Sequence, residues 1–246
     1  MSNGKVNLLL LPYAGGTAAS FKSFIAALPN WVRPIPVTLP GRGVRFRDPV
    51  LTYWPELVHQ LANELIDDAR QPYALFGHSL GALVALELAH CFRSLGCHDL
   101  LWLGVSACAA PASRNRGEDW LACEEAVLLD KLRTLGGTPA ELLENRELLD
   151  LFLPALRADF HLASTYAALP RDPLGARMLI LAGEDDADVV FPTKNLTDWA
   201  QETRGVSRTS LHPGGHFFIN HQAPQIARIC SDDIGAALML DAVAHG

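Results

Sequence analysis

The chain has 246 residues, of which 49% are hydrophobic and 19% charged, and its formal net charge at pH 7 is −7. This length is enough for one α/β domain with a substantial hydrophobic core, so we expect a single domain over residues 1–246. The negative charge argues against a protein that binds nucleic acid regardless of sequence, because such a protein needs a basic surface to displace counterions from phosphates.

The cysteines argue against a zinc site and against a disulfide scaffold. They form no Cys-x-x-Cys pair, and their odd number leaves one unpaired in any scheme. The five are Cys91, Cys97, Cys108, Cys123 and Cys230. The apolar run at residues 6–11 is too short for a signal-peptide core, and the run at residues 100–112 is well short of the roughly 20 residues that span a bilayer. We therefore expect a cytoplasmic protein with no membrane or nucleic-acid partner.

Apolar runs alternate with helical patterns along the chain, which predicts a mostly parallel sheet with helices on both faces. The predicted strands are residues 6–11, 33–39, 73–77, 100–106, 178–182 and 207–212. The predicted helices lie near residues 18–28, 52–69, 80–95, 193–204 and 221–240. The fold class is therefore expected to be α/β.

From about residue 111 to residue 169 the pattern is helical throughout and interrupts this alternation. Thr138-Pro139-Ala140-Glu141 matches a capping box with proline at the first helical position. Apolar residues then recur along one helix face: Leu142, Leu149, Leu153, Leu156 and Phe160. We interpret this segment as a helical lid inserted between two core strands. The alternative is a pair of packing helices with no role in access.

The pentapeptide Gly77-His78-Ser79-Leu80-Gly81 lies between the third predicted strand and a predicted helix. A Gly-x-Ser-x-Gly sequence in this context is typical of a hydrolase nucleophile elbow, a tight and strained strand-to-helix turn that exposes the serine hydroxyl. The flanking glycines let the backbone fold back closely. Ser79 is therefore the predicted nucleophile.

A serine hydroxyl needs a general base within hydrogen-bond reach, and that base needs a carboxylate to orient it. We expect the base to be His216, because Pro213-Gly214-Gly215-His216 places it in a loop after the last predicted strand. His212 and His221 are the nearest alternatives. Of the others, His78 should point away from the nucleophile, and three in or beside helices should be solvated or structural: His59, His90 and His98.

The acid is predicted in the turn that follows the fifth strand, where four carboxylates crowd together: Glu184, Asp185, Asp186 and Asp188. Asp186 stands three residues after Gly183, from where its side chain could reach Nδ1 of the imidazole, so we favour Asp186 and keep Asp188 as the alternative. Ser79, Asp186 and His216 then follow the Ser, Asp, His order of the α/β-hydrolases.

The oxyanion of an acyl-transfer intermediate needs at least two backbone donors. One should be the N–H of Leu80, and the second should be that of Ala14, in the glycine-containing loop Pro12-Tyr13-Ala14-Gly15-Gly16. The alternative is that this loop is only a flexible turn. A nucleotide-binding loop is not indicated, because the chain has neither a Gly-x-Gly-x-x-Gly motif nor a P-loop lysine. No cofactor and no metal ion are expected.

Five short stretches spread over nearly the whole chain carry a resemblance to one enzyme family. They are Leu-Pro-Tyr-Ala-Gly-Gly at 11–16, Leu-Pro-Gly-Arg-Gly at 39–43, Phe-Gly-His-Ser-Leu-Gly at 76–81, Leu-Pro-Ala-Leu-Arg-Ala-Asp-Phe at 153–160 and Pro-Gly-Gly-His-Phe-Phe at 213–218. With these stretches the chain resembles the type II thioesterases that accompany nonribosomal peptide and polyketide synthetases, which have the α/β-hydrolase fold.

The resemblance implies that the protein hydrolyses stalled or wrongly loaded acyl groups from the phosphopantetheine arm of acyl or peptidyl carrier proteins, in antibiotic or siderophore biosynthesis. It carries over to Ser79 and His216. The family's acid lies in a Gly-x-x-Asp turn often followed by proline, whereas Asp186 is followed by Ala187. A thiol has a pKa near 8.5, so its departure needs little help from a general acid. We expect a monomer.

Other functions are compatible with the same residues. A carboxylesterase or lipase would use the same triad on free oxygen esters, and an acyltransferase would pass the acyl group to an alcohol or amine. A catalytically silent binding protein would need a broken triad or oxyanion hole, and none is visible. Arg42, Arg45 and Arg47 form a local basic cluster that we hypothesise to dock the carrier arm, the alternative being an ordinary solvated run of charges.

Overall fold

The computed structural model describes residues 5–114, 117, 119–136 and 144–244. Six strands of this part of the chain form one sheet in the order β2-β1-β3-β4-β5-β6, and each neighbouring pair is parallel. They are β1 Val6–Leu11, β2 Val32–Pro36, β3 Tyr73–His78, β4 Leu100–Ser106, β5 Arg177–Gly183 and β6 Ser207–His212. The predicted α/β class with a parallel sheet is confirmed.

Helices cover both faces of the sheet, because successive side chains of β1 are buried alternately in two different hydrophobic clusters. Leu8 and Leu10 belong to one buried cluster and Leu9 and Leu11 to the other. The first cluster includes side chains of α1 (Lys22–Ala26) and α8 (Phe218–Ala244), and the second includes side chains of α2 (Trp54–Ala69) and α3 (Leu80–Ser94). Burial on both faces explains why the sequences of β1, β3, β4 and β5 are nearly continuous apolar runs.

The structure corrects the second predicted strand, residues 33–39, which is β2 at Val32–Pro36 and lies at the edge of the sheet. Its residue pairing with β1 ends at Pro36, and the N–H of Val37 donates the last backbone hydrogen bond to Leu10 at 2.9 Å. Leu39 makes no such bond to any described residue and is buried, so at the end of the predicted strand the apolar pattern reported burial and not strand pairing. Two prolines fit this strand because it lies at the edge of the sheet, where a missing N–H is tolerated.

Three predicted helices also differ from the structure. Residues 18–28 form a 3₁₀ turn, Ala18–Phe21, before the short α1. After β5 comes the single turn α6 (Ala187–Val190), and residues 193–204 form the single turn α7 (Lys194–Thr197) and then the 3₁₀ segment Asp198–Glu202. Helix α8 begins three residues earlier than predicted and is interrupted at Gln222, with φ −120°. Pro224 accounts for an interruption here, because it has no N–H to donate to the carbonyl of Asn220 and its ring clashes with that carbonyl.

Between β4 and β5 the described residues contain the helices α4 (Glu125–Leu135) and α5 (Arg146–Thr165). We call residues 111–169 the helical insertion. Its apolar side chains form a separate buried cluster: Trp120, Leu128, Leu132, Leu149, Leu153, Leu156 and Phe160. The predicted apolar face is thus present in α5, whereas the predicted capping box and Leu142 lie outside the described residues. No described helix has the length and apolar character needed to cross a membrane.

Candidate active site

The predicted strand-to-helix turn is present, and Ser79 stands at its apex between β3 and α3. Its φ is 55° and its ψ −119°, a backbone conformation that costs energy for any residue with a side chain. The turn is so tight that a Cβ on Gly77 would lie 2.0 Å from the carbonyl oxygen of Gly81. Glycine at position 77 is therefore required by space, and Ser79 is left at the carboxyl edge of the sheet.

His216 contacts both other predicted members of the triad. Its Nε2 lies 3.0 Å from Oγ of Ser79, and its Nδ1 lies 2.7 Å from Oδ2 of Asp186. With the proton on Nδ1, the imidazole donates to the carboxylate and Nε2 accepts from the serine hydroxyl. The structure therefore brings together three side chains that lie far apart in the chain.

Two backbone hydrogen bonds place the loop of His216 beside the turn of Asp186. The N–H of Glu184 donates to the carbonyl of His212 at 2.8 Å, and that of Asp185 donates to the carbonyl of Gly214 at 3.0 Å. These bonds extend the pairing of β5 and β6 beyond the strand ends. Glu184 and Asp185 are exposed and Asp186 is buried. The side chain of Asp188, the alternative acid, lies outside the described part of the chain.

The competing histidines have other partners. His212 is buried against Phe218, with ring centroids 5.5 Å apart, and His221 is exposed. His78 is buried, and its Nδ1 lies 2.9 Å from Oγ of Ser106 on β4. Burial, and then the nearby His216, hold the pKa of His78 well below its usual range. A neutral imidazole therefore packs behind His216, at a ring-centroid distance of 5.5 Å.

The two backbone donors predicted for the oxyanion lie on either side of Ser79. Leu80 is the first residue of α3, so its N–H has no acceptor within the helix. Ala14 follows β1, whose Leu11 pairs with Gly77 of β3, so its loop runs beside the elbow. Among the described residues no acceptor takes the N–H of Ala14. Both N–H groups are therefore available to a bound oxygen.

The prediction that Arg42 belongs to an exposed basic cluster is wrong. Its side chain is 3% exposed and forms a two-pronged ion pair with Asp159 of α5, which is 1% exposed. Arg45 is bonded to Asp48 and to Glu64. A buried charge requires a partner, and no local pattern could reveal one 117 residues away. The sequence linked Arg42 and Asp159 only in that each lies in one of the stretches that carry the family resemblance.

A cavity of about 250 Å³ opens beside Ser79 and His216. Its walls come from α3 and from the helical insertion. The apolar lining includes Leu83, Trp120, Leu135, Phe160 and Ala163, and the insertion also contributes Arg114, Lys131 and Ser164. A larger cavity of about 450 Å³ lies near the amino ends of the strands and contains none of the predicted site residues. The chemistry of the lining, and not volume, therefore locates the site. Within the described residues no three His, Cys, Asp or Glu side chains are arranged to hold a metal ion.

Comparison with known proteins agrees with this geometry. Residues 6–234 match the protein family described as Thioesterase domain. Thioesterase PikA5 of Streptomyces venezuelae is 35% identical over 240 residues, which cover 94% of this chain and 82% of PikA5. The solved structure of the type II thioesterase BorB, from the borrelidin biosynthetic cluster, superposes with a TM-score of 0.81 at 34% identity, covering 94% of this chain and 93% of BorB.

A third relative has a name that points to other chemistry. Linear gramicidin dehydrogenase LgrE of Brevibacillus parabrevis is 33% identical over 241 residues, covering 97% of this chain and 91% of LgrE. A dinucleotide-dependent dehydrogenase of the Rossmann type carries a Gly-x-Gly-x-x-Gly fingerprint. This chain has no Gly-x-Gly-x-x-Gly sequence, so the word dehydrogenase in the name of LgrE has no counterpart in this chain's sequence.

Proposed function

Since the chain belongs to the thioesterase domain family, as a type II thioesterase of synthetase systems, we propose that it removes misloaded or stalled acyl groups from the phosphopantetheine arm of acyl or peptidyl carrier proteins. We assign Ser79, His216 and Asp186 as the catalytic triad, with the N–H groups of Ala14 and Leu80 as the oxyanion hole. The observation that carries the assignment is the pair of hydrogen bonds made by His216, 3.0 Å to Ser79 and 2.7 Å to Asp186.

In the first half of the reaction, Oγ of Ser79 attacks the thioester carbonyl carbon while its proton passes to Nε2 of His216. The carbonyl oxygen becomes an oxyanion and accepts hydrogen bonds from the N–H groups of Ala14 and Leu80. Collapse of this intermediate breaks the C–S bond and releases the thiol of the arm. Because a thiol is far more acidic than an alcohol or an amine, the departing sulfur needs little protonation in the transition state.

In the second half, His216 removes a proton from water, and the resulting nucleophile attacks the acyl-serine ester. The second intermediate collapses to a free carboxylic acid and regenerates the hydroxyl of Ser79. Throughout, Asp186 keeps the imidazole in one tautomer and stabilises its protonated form. No cofactor takes part in any step of this scheme.

We propose that the helical insertion acts as a lid over this site. Its residues Trp120, Phe160 and Ala163 contribute to the cavity beside Ser79, so they would contact the acyl group of a bound substrate. An apolar wall favours acyl groups that gain from leaving water. The insertion would then select the acyl group, while the triad performs the same chemistry on each one admitted.

Mass spectrometry of a purified acyl-carrier protein, incubated with the wild-type enzyme or with Ser79→Ala, tests the reaction and the nucleophile together. The acyl mass should disappear with the wild type only. The comparison substrate carries the same acyl group on a pantetheine analogue in which oxygen replaces the thiol sulfur. We expect this oxygen ester to be hydrolysed more slowly. Faster turnover of the oxygen ester would favour a carboxylesterase, and transfer of the acyl group to an added alcohol or amine would favour an acyltransferase.

We also propose two further properties of the protein, its location and its oligomeric state. The odd number of cysteines, five, favours a reducing compartment. We therefore propose a cytoplasmic location, which cell fractionation would test. We also propose that the protein is a monomer, for which light scattering coupled to size exclusion is the direct measurement. Neither property enters the reaction scheme.

A further inference from the structure

The turn after β1 has a defined type, which fixes the direction of the N–H of its central peptide, that of Gly15. The N–H of Gly16 donates to the carbonyl of Tyr13 at 2.8 Å, which closes a four-residue turn. Gly15, at its third position, has φ +77°, whereas Ala14 is not among the residues with positive φ. These values match a type II turn, whose central peptide is flipped relative to that of a type I turn.

A side chain of the helical insertion holds that central peptide. The N–H of Gly15 donates to Oδ2 of Asp159, in α5, at 2.7 Å. If the peptide between Ala14 and Gly15 flipped, this N–H would turn away from the carboxylate. Leu156, one helical turn before Asp159, packs on the same glycine, because a Cβ on Gly15 would lie 2.6 Å from Cδ2 of Leu156. The turn is thus held by both a polar and an apolar contact with α5.

Arg42 in turn holds Asp159. Its Nη2 lies 2.7 Å from Oδ1, and its Nη1 bonds Oδ2, the oxygen that also accepts from Gly15. Its Nε and Nη2 also donate to the carbonyl of Pro40, at 3.4 Å and 3.3 Å. Burying a carboxyl group costs free energy unless a cation and hydrogen bonds compensate its lost hydration. Arg42 supplies both, so Asp159 is an acceptor held in one position.

We propose that Asp159, fixed by Arg42, is a positioning residue for the oxyanion hole. By anchoring the turn to α5 at Gly15, it holds the adjacent Tyr13–Ala14 peptide in place, so that the N–H of Ala14 stays beside the carbonyl oxygen of a thioester under attack by Ser79. Asp159 itself does not touch the substrate. The inference rests on the proposed function, and it makes helix α5 part of the machinery that stabilises the intermediate.

The test compares Asp159→Ala and Asp159→Asn with the wild type on one acyl-carrier substrate. Loss of one oxyanion donor lowers kcat by about 10²–10³, and we expect a fall of that size for Asp159→Ala, with KM changed by less than about threefold. Asp159→Asn keeps an oxygen that can accept a hydrogen bond from the N–H of Gly15. Its kcat should therefore be at least about tenfold higher than that of Asp159→Ala.

A second readout reports on the oxyanion hole directly. A trifluoromethyl ketone analogue of the acyl-pantetheine arm adds to Ser79, with the hydroxyl proton passing to His216 and the ketone oxygen becoming an oxyanion in the hole. Its affinity should fall across the Asp159 variants by the same factor as kcat/KM, because transition-state analogues share the interactions that a variant removes. A merely structural role for Asp159 would leave this affinity unchanged in the folded protein.

Two further variants separate positioning from folding. Asp159→Ala leaves Arg42 buried without its partner, so it could unfold; the double variant Arg42→Met with Asp159→Leu removes both charges and should fold. It still lacks an acceptor for Gly15, so its kcat should stay low. Asp233→Asn is the matched control, because Asp233 is a buried carboxylate bonded to Trp102 and Arg177 at the amino ends of β4 and β5.

The control should lower the melting temperature and leave kcat and the ketone affinity of the folded protein within about twofold of wild type, since it removes no oxyanion donor. A folded double variant with wild-type kcat would overturn the proposal, and so would a low kcat with unchanged ketone affinity. An inactive wild type, or an active Ser79→Ala, would instead contradict the proposed function.

Discussion

Gly81 lies so close to Leu11 that a Cβ on the glycine would be 2.1 Å from the carbonyl oxygen of Leu11. The first turn of α3, which follows the nucleophile, therefore rests directly on the end of β1. The turn that contains Ala14 begins at that same point. One backbone contact thus sets the spacing between Ser79 and the neighbouring loop, and only glycine permits it.

Gly81→Ala should therefore damage both stability and activity. The added methyl group must push α3 away from β1, and overpacking of this kind costs about 1–3 kcal/mol or more. Thermal unfolding and kcat measured on the same preparation would show it. Gly235→Ala is the matched control, because a Cβ there meets nothing within 4 Å inside α8. That change should leave activity intact and stabilise the helix by about 0.5–1 kcal/mol. A wild-type kcat in Gly81→Ala would contradict the assigned role of the contact.

Asp186→Asn should lower kcat by about 10⁴ without a comparable change in KM, because an amide no longer holds His216 in the tautomer that accepts the serine proton. Asp185→Asn provides the control, since its side chain is exposed beside the same turn. That variant should behave as the wild type in a steady-state thioester assay. Equal losses in the two variants, or none in Asp186→Asn, would return the choice of acid to Asp188.

The size of the acyl group admitted should depend on Ala163, which lines the cavity beside Ser79. Replacing it with phenylalanine fills part of the 250 Å³ cavity. We expect kcat/KM for an octanoyl thioester to fall by about tenfold or more, while that for an acetyl thioester changes little. Ala167→Phe, at an exposed position just beyond α5, should have no such effect. A uniform loss on both substrates would mean that the cavity does not hold the chain.

Arg47 is the member of the basic segment that remains exposed and able to meet a partner. Arg47→Glu should raise KM for an acyl-carrier substrate severalfold and leave a small pantetheine thioester unaffected, because charge at an interface rim acts mainly on encounter with the partner. The effect should shrink as salt is added. Arg70→Glu, exposed at the end of α2 and away from the site, is the control. An unchanged KM would remove Arg47 from the docking surface.

Acid should destabilise the protein through protonation of His90 in α3. This side chain is 8% exposed, and its Nδ1 lies 2.9 Å from Nη2 of Arg93. Burial, and then the charges of Arg171 and Arg93, lower its pKa to about 4. Between that value and the unfolded value near 6.5, the unfolded chain binds the proton and the folded protein does not, so stability falls as pH falls through this window.

The loss attributable to His90 is at most about 3 kcal/mol, given about 1.4 kcal/mol for each pH unit of difference between the two states, because solvent screening reduces the effect. Urea unfolding at several pH values between 7 and 4 would measure it. His90→Gln can still accept from Arg93 but cannot titrate, so its stability should depend less steeply on pH. His59→Gln, at an exposed position of α2, should keep the wild-type slope. If the free energy of unfolding fell with pH equally steeply in the wild type and in His90→Gln, His90 would be excluded as the source of the acid sensitivity.

Local patterns located the elements that surround the site more reliably than they located the ends of those elements. The run before Ser79 and the helix formers after it predicted β3, the elbow and α3 to within one residue at each boundary. The segment at residues 193–204 carried a helical pattern but forms only single turns, because tertiary packing decides where a marginal helix continues.

The sequence by itself determined the fold class, the elbow and the order of Ser79, Asp186 and His216, because alternating burial and turn chemistry are written into neighbouring residues. Only the tertiary structure showed that Asp186 bonds His216 and that Arg42 is buried against Asp159. Those pairings join residues separated by 30 and 117 positions. Their geometry depends on how strand ends and the helical insertion pack together, and no local periodicity records that packing.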